Sequence, residues 1–401
     1  MVLGINLTDE QAVVKASSNE QVKTYPLILN KLQDNSFEIG QRAYEQSLNN
    51  NGILIDKLLY KSIKSKEVII ENTSYQTYYL LEIFFKNLFL EYGNVEFVSI
   101  SVDDNNPILF RDLDVALYHA LDDRSKFIIT TNSDCFIKYS SQLVVNKEFN
   151  KQQSIGLIDF IDKSLVYYEI NFKAFEGYKK EFIEVKYTKN SPIPLDLLHE
   201  NNGIRIIDGI LVEFAKKMAQ NKDYAYFLIS GYGFSNQDAY RDFINYICSL
   251  GCPVLKEENL FSLGSEIIAL DNFNGVIDSN YYYMTDSRTS FSITLSDGST
   301  KYQRKICDFG LPWFSTKINF QIIVYDTNEL IFTIDRYNGN NFDKSILLND
   351  DFVIRDNKTT KLEVSIDFLQ FNSFDINVKD VGFGEFYEPI ETASTTRNVD
   401  L

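Results

Sequence analysis

The residues best suited to metal binding or nucleophilic catalysis are scarce in this chain. Its 401 residues include four cysteines and two histidines, His119 and His199. Cys248 and Cys252 are neighbours in the stretch CSLGC, but a zinc site requires a second pair of ligands that this sequence does not supply. The scattered cysteines are therefore predicted to be buried free thiols, and Ser-His-Asp chemistry is disfavoured for lack of histidine. No catalytic residue is predicted.

Acidic side chains outnumber basic ones. The chain has 56 Asp and Glu against 39 Lys and Arg, which gives a net charge of −17 at pH 7. Nucleic acids and anionic membranes attract basic surfaces, so neither is expected as a partner. No run of 18 apolar residues is present, and the first residues lack the basic and then apolar pattern of a secretory signal. We therefore expect a cytoplasmic protein without membrane insertion.

The first half of the chain alternates strands and helices. A hairpin is predicted over 2–16, and strands are predicted at 95–102 and 126–131. The continuous apolar run at 95–102 is typical of a strand buried on both faces of a sheet. Helical spacing of apolar residues predicts helices at 75–92 and 111–121. This alternation indicates an α/β domain with a mixed sheet.

A second half with the same plan follows. It opens with two strands over 155–170 that flank a predicted turn at Asp162 and Lys163. The remaining predicted elements are a strand at 181–187, a helix at 204–220, a strand at 224–234 and a helix at 237–250.

Helical periodicity stops after about residue 271. Short alternating runs such as SFSITL (290–295) and FQIIVY (320–325) take over, which predicts an antiparallel β-sandwich. A domain boundary is expected at 268–280, where DNFNG supplies turn residues. The predicted segments are a body at 1–270 with lobes at about 1–153 and 154–270, a sandwich at 271–390, and a polar tail at 391–401.

Stretches at opposite ends of the chain carry a family resemblance. MVLGINLTDEQAVV (1–14) resembles the phosphate-binding hairpin that opens the ATPase domain of the actin and heat-shock-chaperone superfamily. TKLEVSIDFLQFNSFDINVKDVGFGEFYEP (360–389) resembles the end of the chaperone β-sandwich, and IGQRA (39–43) is similar to the chaperones' Ile-Gly-x-x-Ala turn. The segments DVGFGEFYEP, LISGYGF and EENLFSLGSEI are similar to those of a bacterial heat-shock-chaperone-like family with a lidless C-terminal β-sandwich. The resemblance implies a two-lobed α/β actin-like (ribonuclease-H-like) ATPase fold followed by an antiparallel β-sandwich.

The resemblance also implies a site for ATP and Mg²⁺ between the lobes, with two phosphate hairpins and one adenosine loop. The first hairpin of the superfamily reads Gly-Ile-Asp-Leu-Gly-Thr, and its Asp organises water around Mg²⁺. This chain has Asn6, Thr8 and Asp9 in place of the Asp, the second Gly and the Thr. Asn6 supplies no charge, Thr8 adds a Cβ where the phosphates would approach, and Asp9 adds a negative charge beside them. The first hairpin is therefore predicted to bind ATP weakly or not at all.

The second and third nucleotide motifs are altered to different degrees. The second hairpin normally reads Asp-Leu-Gly-Gly-Gly-Thr; this chain keeps Asp159, the candidate metal ligand, but loses every glycine. The third motif keeps Gly231 and Gly233, which could admit a base or ribose, although a strand-to-helix turn favours glycine for its geometry alone. The nucleotide-binding candidates are Asn6, Thr8, Asp9, Asp159, Gly231 and Gly233.

Three functions stay open at this point. The favoured one is a chaperone-like pseudo-ATPase that acts as a protein-binding or scaffolding component, with no certain cofactor. The second is an active but divergent chaperone-like ATPase that uses ATP or ADP with Mg²⁺. The third is an actin-like protein that forms a homo-oligomer or filament.

The predicted sandwich is the candidate for partner recognition. An exposed sheet edge can bind a protein partner or an extended peptide by strand addition. Tyr281, Tyr282 and Tyr283 form an aromatic cluster beside such an edge and are the protein-binding candidates. Ordinary core packing is the alternative explanation for these tyrosines.

Overall fold

The computed structural model divides the chain into two compact units. The first unit comprises Met1–Ala174 with Lys180–Tyr281, and the second comprises Phe175–Lys179 with Tyr282–Leu401. The structure describes residues 1–103, 105–145, 152–161, 164–190, 193, 202–235, 240–276, 281–285, 288–289, 291–296, 300–302, 309–325, 327–336, 341–355 and 358–400. Within this described part, no helix has the length and apolar character needed to cross a membrane.

A five-stranded mixed sheet forms the centre of the first half of the first unit. Its elements are β1 (Val2–Leu7), β2 (Gln11–Ala16), β3 (Val22–Pro26), β4 (Leu29–Lys31), β5 (Phe37–Ile39), α1 (Gly40–Leu48), β6 (Ile53–Ile55), α2 (Leu58–Lys64), β7 (Glu67–Ile70), β8 (Thr73–Gln76), α3 (Thr77–Leu90), β9 (Phe97–Val102), α4 (Pro107–Leu121), β10 (Phe127–Thr131) and α5 (Asn132–Val145). The strand order is β10-β9-β1-β2-β3. β1, β2 and β3 form an antiparallel meander, whereas β9 and β10 run parallel to β1.

Local signals in the sequence explain where α4 begins. Pro107 occupies its first turn, where a backbone N–H is not needed, and the Asn106 side chain accepts a hydrogen bond from the Ile108 amide at 2.9 Å. The sequence-based helix at 111–121 therefore starts four residues too late. β1 and β9 are buried along all six of their residues, as their continuous apolar runs predict.

The second half of the first unit repeats the sheet plan of the first half. Its elements are β11 (Ser154–Ile161), β12 (Ser164–Lys173), β13 (Glu181–Lys189), α6 (Gly203–Ala219), β14 (Tyr224–Ser230), α7 (Arg241–Cys248), β15 (Val254–Lys256) and α8 (Leu260–Phe273). The strands follow the order β15-β14-β11-β12-β13, again with an antiparallel meander and two strands parallel to its first member. The two halves are called lobe I (sheet of β1) and lobe II (sheet of β11).

Helix α8 follows the last strand of lobe II but packs on the sheet of lobe I. A Cβ built on Gly4 of β1 would lie 2.0 Å from the Glu266 amide nitrogen, so strand and helix backbones are in direct contact. The Ser265 hydroxyl donates to the Ser99 carbonyl oxygen at 2.9 Å. The boundary predicted at 268–280 begins within this helix, which extends to Phe273 and belongs to the first unit.

The second unit consists of antiparallel strands. Starting from the strand that spans the unit boundary, its elements are β16 (Tyr281–Met284), β17 (Arg288–Thr289), β18 (Phe291–Ser296), β19 (Lys301–Tyr302), β20 (Leu311–Pro312), β21 (Lys317–Val324), β22 (Glu329–Arg336), β23 (Asn341–Leu347), β24 (Thr360–Gln370), β25 (Ser373–Asp380) and β26 (Ser394–Asp400). Two four-stranded sheets have the orders β19-β18-β22-β23 and β21-β24-β25-β26. Buried side chains from both sheets, such as Phe332 and Ile366, belong to one hydrophobic cluster.

The end of the chain forms a strand and not the polar tail predicted at 391–401. β26 pairs with β25 along its whole length, from Lys379↔Ser394 to Ser373↔Asp400. Its polar composition suits a sheet edge whose outer face is solvated, because only Val399 of the strand is buried. Ala393, just before the strand, is also buried. The segment STTRNVD has no clear apolar alternation, so the sequence pattern did not predict this strand.

Candidate functional site

A cleft of about 550 Å³ lies between lobe I and lobe II of the first unit. Its floor is made by residues at the carboxyl ends of parallel strands, including Asp103 after β9, Asn132 after β10 and Asp159 in β11. Such strand ends are where α/β sheets place their ligand sites. The charged residues that line the cleft are Asp9, Glu10, Asp103, Asp159, Lys57 and Lys189. Four carboxylates thus face two ammonium groups, which disfavours a polyanionic ligand.

The turn between β1 and β2 is closed by its own side chain. The Thr8 amide donates to the Gln11 carbonyl oxygen at 2.9 Å. The amides of Glu10 and Gln11 both donate to the Thr8 hydroxyl oxygen at 3.2 Å. Phosphate-binding turns use free backbone N–H groups to hold the anion. Here three of the turn's amides already have acceptors within the turn, so Thr8 does more than add a Cβ.

Asp9 is also engaged within the protein. Its Oδ1 accepts a hydrogen bond from the Tyr60 amide at 2.9 Å, in the first turn of α2. A carboxylate at this position satisfies a helix amide that has no partner inside the helix. The aspartate that the sequence placed beside the phosphates therefore connects the first turn to α2.

Asn6 belongs to a buried hydrogen-bonded cluster. Its Nδ2 donates to Ser101 Oγ at 3.0 Å and to Asn132 Oδ1 at 2.8 Å. Asn6 is 3% exposed and joins the ends of β1, β9 and β10. An aspartate here would lose the donor group that makes both hydrogen bonds, so an amide fits this position better than a carboxylate.

The second predicted phosphate turn is described only at its two ends. Ile161 of β11 pairs with Ser164 of β12, and Asp162 and Lys163 lie outside the described residues. Asp159 lines the cleft and is 3% exposed. Within the described ranges, no group of three or more His, Cys, Asp or Glu is arranged to hold a metal ion. Asp159 as a metal ligand therefore stays a prediction.

Gly231 and Gly233 lie against β11. A Cβ on Gly231 would come within 2.4 Å of the Phe160 carbonyl oxygen, and φ at Gly231 is +97°. A Cβ on Gly233 would lie 2.4 Å from the Phe160 ring. Glycine is required at both positions by close packing, so their presence does not by itself indicate a nucleoside site.

The three tyrosines proposed as a protein-binding cluster are each half-buried. The Tyr281 ring contacts the Phe172 ring edge-to-face at a centroid distance of 6.4 Å, within the first unit. In the second unit, Tyr282 contacts the Phe309 ring at 5.9 Å. Successive side chains of a strand point to opposite faces, so the three rings do not form one exposed patch. Their role in binding stays a prediction, and these contacts favour the packing alternative.

The burial predicted for the cysteine thiols is found for only one of the three cysteines that the structure describes. Cys135, Cys248 and Cys252 are free, but Cys248 is exposed and Cys252 is half-buried, because both lie where α7 ends at the surface. Burial raises the pKa of the Cys135 thiol well above its usual range, which favours the protonated thiol over the reactive thiolate. His119 lies beside Glu82, with Nδ1 2.9 Å from Oε2. His199 and Cys307 lie outside the described residues.

Two hydrogen bonds across the cleft, both to Asp103, were missed by the sequence prediction. Lys189 Nζ donates to Asp103 Oδ2 at 2.8 Å, and the Tyr168 hydroxyl donates to Asp103 Oδ1 at 3.1 Å. Asp103 belongs to lobe I, and Tyr168 and Lys189 belong to lobe II. Its place directly after the buried strand at 95–102 was the available signal, because side chains that follow parallel strands gather at one sheet edge. The sequence around Tyr168 and Lys189 offers no comparable signal that they contact Asp103.

The first unit is thus a two-lobed mixed α/β body with a cleft between duplicated sheets. A family model described as "Family of unknown function (DUF5716) C-terminal" matches residues 10–286, and the chain belongs to this family. A second model, "Domain of unknown function (DUF8552)", matches residues 286–398. A comparison with curated proteins found no match.

A comparison with solved structures found a similar chain, a non-polymerising mutant of MamK bound to AMPPNP. The TM-score is 0.39 and the sequence identity is 9%, over 67% of this chain and 98% of that chain. A similarity at this level supports no conclusion about ligands or assembly.

Proposed function

We propose that this chain is a pseudo-ATPase of the actin and heat-shock-chaperone type, which keeps the two-lobed fold as a scaffold for binding other proteins. The duplicated sheets support the actin-like assignment, because each combines an antiparallel meander with two parallel strands. The position of the cleft supports it as well, since the ends of β1 and β11 meet there. The chaperone-like and cytoplasmic character of the protein rests on the sequence resemblance and on its composition.

The observation that carries this proposal is the closed turn between β1 and β2. The amides of Thr8, Glu10 and Gln11 are satisfied by acceptors of the same turn. A phosphate would have to displace these hydrogen bonds and approach the carboxylates of Asp9 and Glu10. Two like charges about 5 Å apart repel by several kcal/mol at an effective dielectric near 20. The turn therefore disfavours ATP in two ways: its backbone amides are not free to bind the phosphates, and its carboxylates repel them.

Calorimetric titration of the full chain with Mg-ATP, Mg-ADP and AMP tests the proposal. We expect no measurable heat for the two phosphate-rich nucleotides, which corresponds to a Kd above about 1 mM. No ATP turnover is expected either. A micromolar Kd for Mg-ATP would contradict the pseudo-ATPase assignment and favour the divergent ATPase. Binding of AMP without binding of Mg-ATP or Mg-ADP would indicate a nucleotide site that excludes the β- and γ-phosphates.

Protein binding is assigned to the second unit, which we infer to be a β-sandwich that resembles a chaperone substrate domain. Among the strands that the structure describes, β21 is at the edge of its sheet and pairs on one side with β24. It carries Ile323, which is 52% exposed, and Tyr325 follows the strand at 39% exposed. An open edge with apolar side chains suits the addition of an extended peptide strand.

We expect Ile323→Lys to weaken the capture of extended apolar peptides by the full chain by about fivefold or more. Lysine on an edge strand opposes strand addition and removes an apolar contact. An array of immobilised peptides with alternating apolar residues is the probe. Leu347→Lys is the matched control, because Leu347 is 56% exposed on β23, an edge of the other sheet. Equal losses in both variants, or no binding by the wild-type chain, would count against β21 as the recognition edge.

A further inference from the structure

The cleft is bridged by three polar groups that come from both lobes. Asp103 extends from the carboxyl end of β9 in lobe I. Its two oxygens accept from Lys189, the last residue of β13, and from Tyr168 in the middle of β12, both in lobe II. Asp103 and Lys189 line the cleft directly. The contact therefore lies at the cleft and not on a remote face of the body.

Tyr168 also packs across the lobes through its ring. The ring contacts Phe136 of α5 at a centroid distance of 6.0 Å and Phe261 of α8 at 5.6 Å, both edge-to-face. Tyr168 is 2% exposed, so its own buried ring holds the hydroxyl in position. A pre-positioned donor loses little freedom when it hydrogen-bonds to Asp103, which makes this contact stronger than one between two flexible surface chains.

We propose that Asp103, Tyr168 and Lys189 form a latch that holds the two lobes together without a ligand. This inference rests on the proposed function, since a bridge built from side chains would replace a bound nucleotide that contacts both lobes. Both carboxylate oxygens of Asp103 are used, one for each partner, so removal of Asp103 breaks the whole latch. Removal of Lys189 breaks the ion pair and leaves the tyrosine hydrogen bond in place.

Hydrogen exchange of the full chain, measured by mass spectrometry without nucleotide, tests the latch. The reporters are the amides of residues 6–12 and 164–168, which flank the cleft. An exposed ion pair changes an opening equilibrium by about two- to fivefold, and a charge-assisted hydrogen bond to a fixed donor adds to this. We therefore expect exchange about two- to fivefold faster in Lys189→Met and about tenfold faster in Asp103→Ala. The double variant should match Asp103→Ala, because the two changes remove the same ion pair.

Asp114→Ala is the matched control. Asp114 forms an ion pair with Arg124 at 2.8 Å, within lobe I, and its side chain is 37% exposed against 38% for Asp103. We expect this variant to leave the reporter amides unchanged. The latch is refuted if Asp103→Ala and Asp114→Ala behave alike, or if the effects of Asp103→Ala and Lys189→Met are additive.

The hydrogen-exchange test of the latch and the calorimetric test of the proposed function can fail independently of each other. If the wild-type chain binds Mg-ATP at micromolar Kd and the exchange changes still occur, the pseudo-ATPase assignment is wrong and the latch stands. If no nucleotide binds and the exchange rates do not change, the latch is wrong and the pseudo-ATPase assignment stands.

Discussion

Replacement of Gly4 by alanine is expected to prevent the first unit from folding stably. The added Cβ would lie 2.0 Å from the Glu266 nitrogen, 2.4 Å from the Glu266 Cα and 2.6 Å from the Ser262 carbonyl oxygen. All three are backbone atoms of α8, so no side chain can rotate away to make room. The helix or β1 must shift, and we expect a loss of about 3 kcal/mol or more in the free energy of unfolding.

Separate probes for the two units make this measurable. The chain has one tryptophan, Trp313, which is 5% exposed in the second unit, so its fluorescence reports on that unit. Hydrogen exchange in β1 and β9 reports on the first unit. Gly209→Ala in α6 is the matched control, because a Cβ there meets nothing within 4 Å. We expect this control to be neutral or stabilising by up to about 1 kcal/mol. If Gly4→Ala protects β1 as well as the control does, the packing of α8 on β1 is wrong.

Gly4 also shows what a sequence motif leaves out. It is the first glycine of the hairpin that resembles a phosphate-binding motif, and the resemblance alone gives no reason for a glycine at this position. In the structure it faces α8, a helix more than 250 residues away in sequence, which reaches lobe I from lobe II. Sequence periodicity reveals that a strand exists and that it is buried, but it does not reveal which backbone approaches it.

Local sequence patterns predict the sheets of both lobes, but they do not predict the contacts of the site. Apolar runs and alternation predict β1, β9 and β11 because each is buried along nearly its whole length. The closed turn depends on the rotamer of Thr8, and the latch depends on Lys189, which is 86 residues from Asp103. Surface lysines are too common for such pairs to be identified from one sequence. β26 was missed for the opposite reason, since a solvated edge strand has little apolar signal.

The charge argument made from the sequence is modified by the structure. The sequence predicts that Asp9 adds a negative charge beside the phosphates. In the structure the Asp9 carboxylate also accepts a hydrogen bond from the Tyr60 amide, and the Thr8 hydroxyl oxygen accepts from the turn amides, so backbone donors are lost in addition to the added charge. Restoring a glycine at position 8 alone would free the amides of Glu10 and Gln11 but leave both nearby carboxylates in place. We therefore do not expect a single substitution in this turn to restore nucleotide binding.

Gly231→Ala is the other substitution from which a large effect is expected, and it decides whether this glycine is structural. Its φ of +97° is strained for alanine, and the added Cβ would lie 2.4 to 2.8 Å from the backbone O, C and N of Phe160. Gly251 has a φ of +76° but nothing within 4 Å of a built Cβ, so Gly251→Ala measures the conformational cost by itself. We expect Gly251→Ala to destabilise by about 1 to 2 kcal/mol.

For Gly231→Ala we expect a loss of about 3 kcal/mol or more, because overpacking against backbone adds to the same conformational cost. Exchange of the β11 and β14 amides in the nucleotide-free chain is the measurement. A nucleoside site that needed Gly231 only for close approach of a base would leave nucleotide-free stability near that of the Gly251 variant. A large difference between the two variants without any ligand identifies contact with Phe160 as the reason for glycine. The third motif would then be explained by the packing of lobe II, and its glycines would no longer support nucleotide binding.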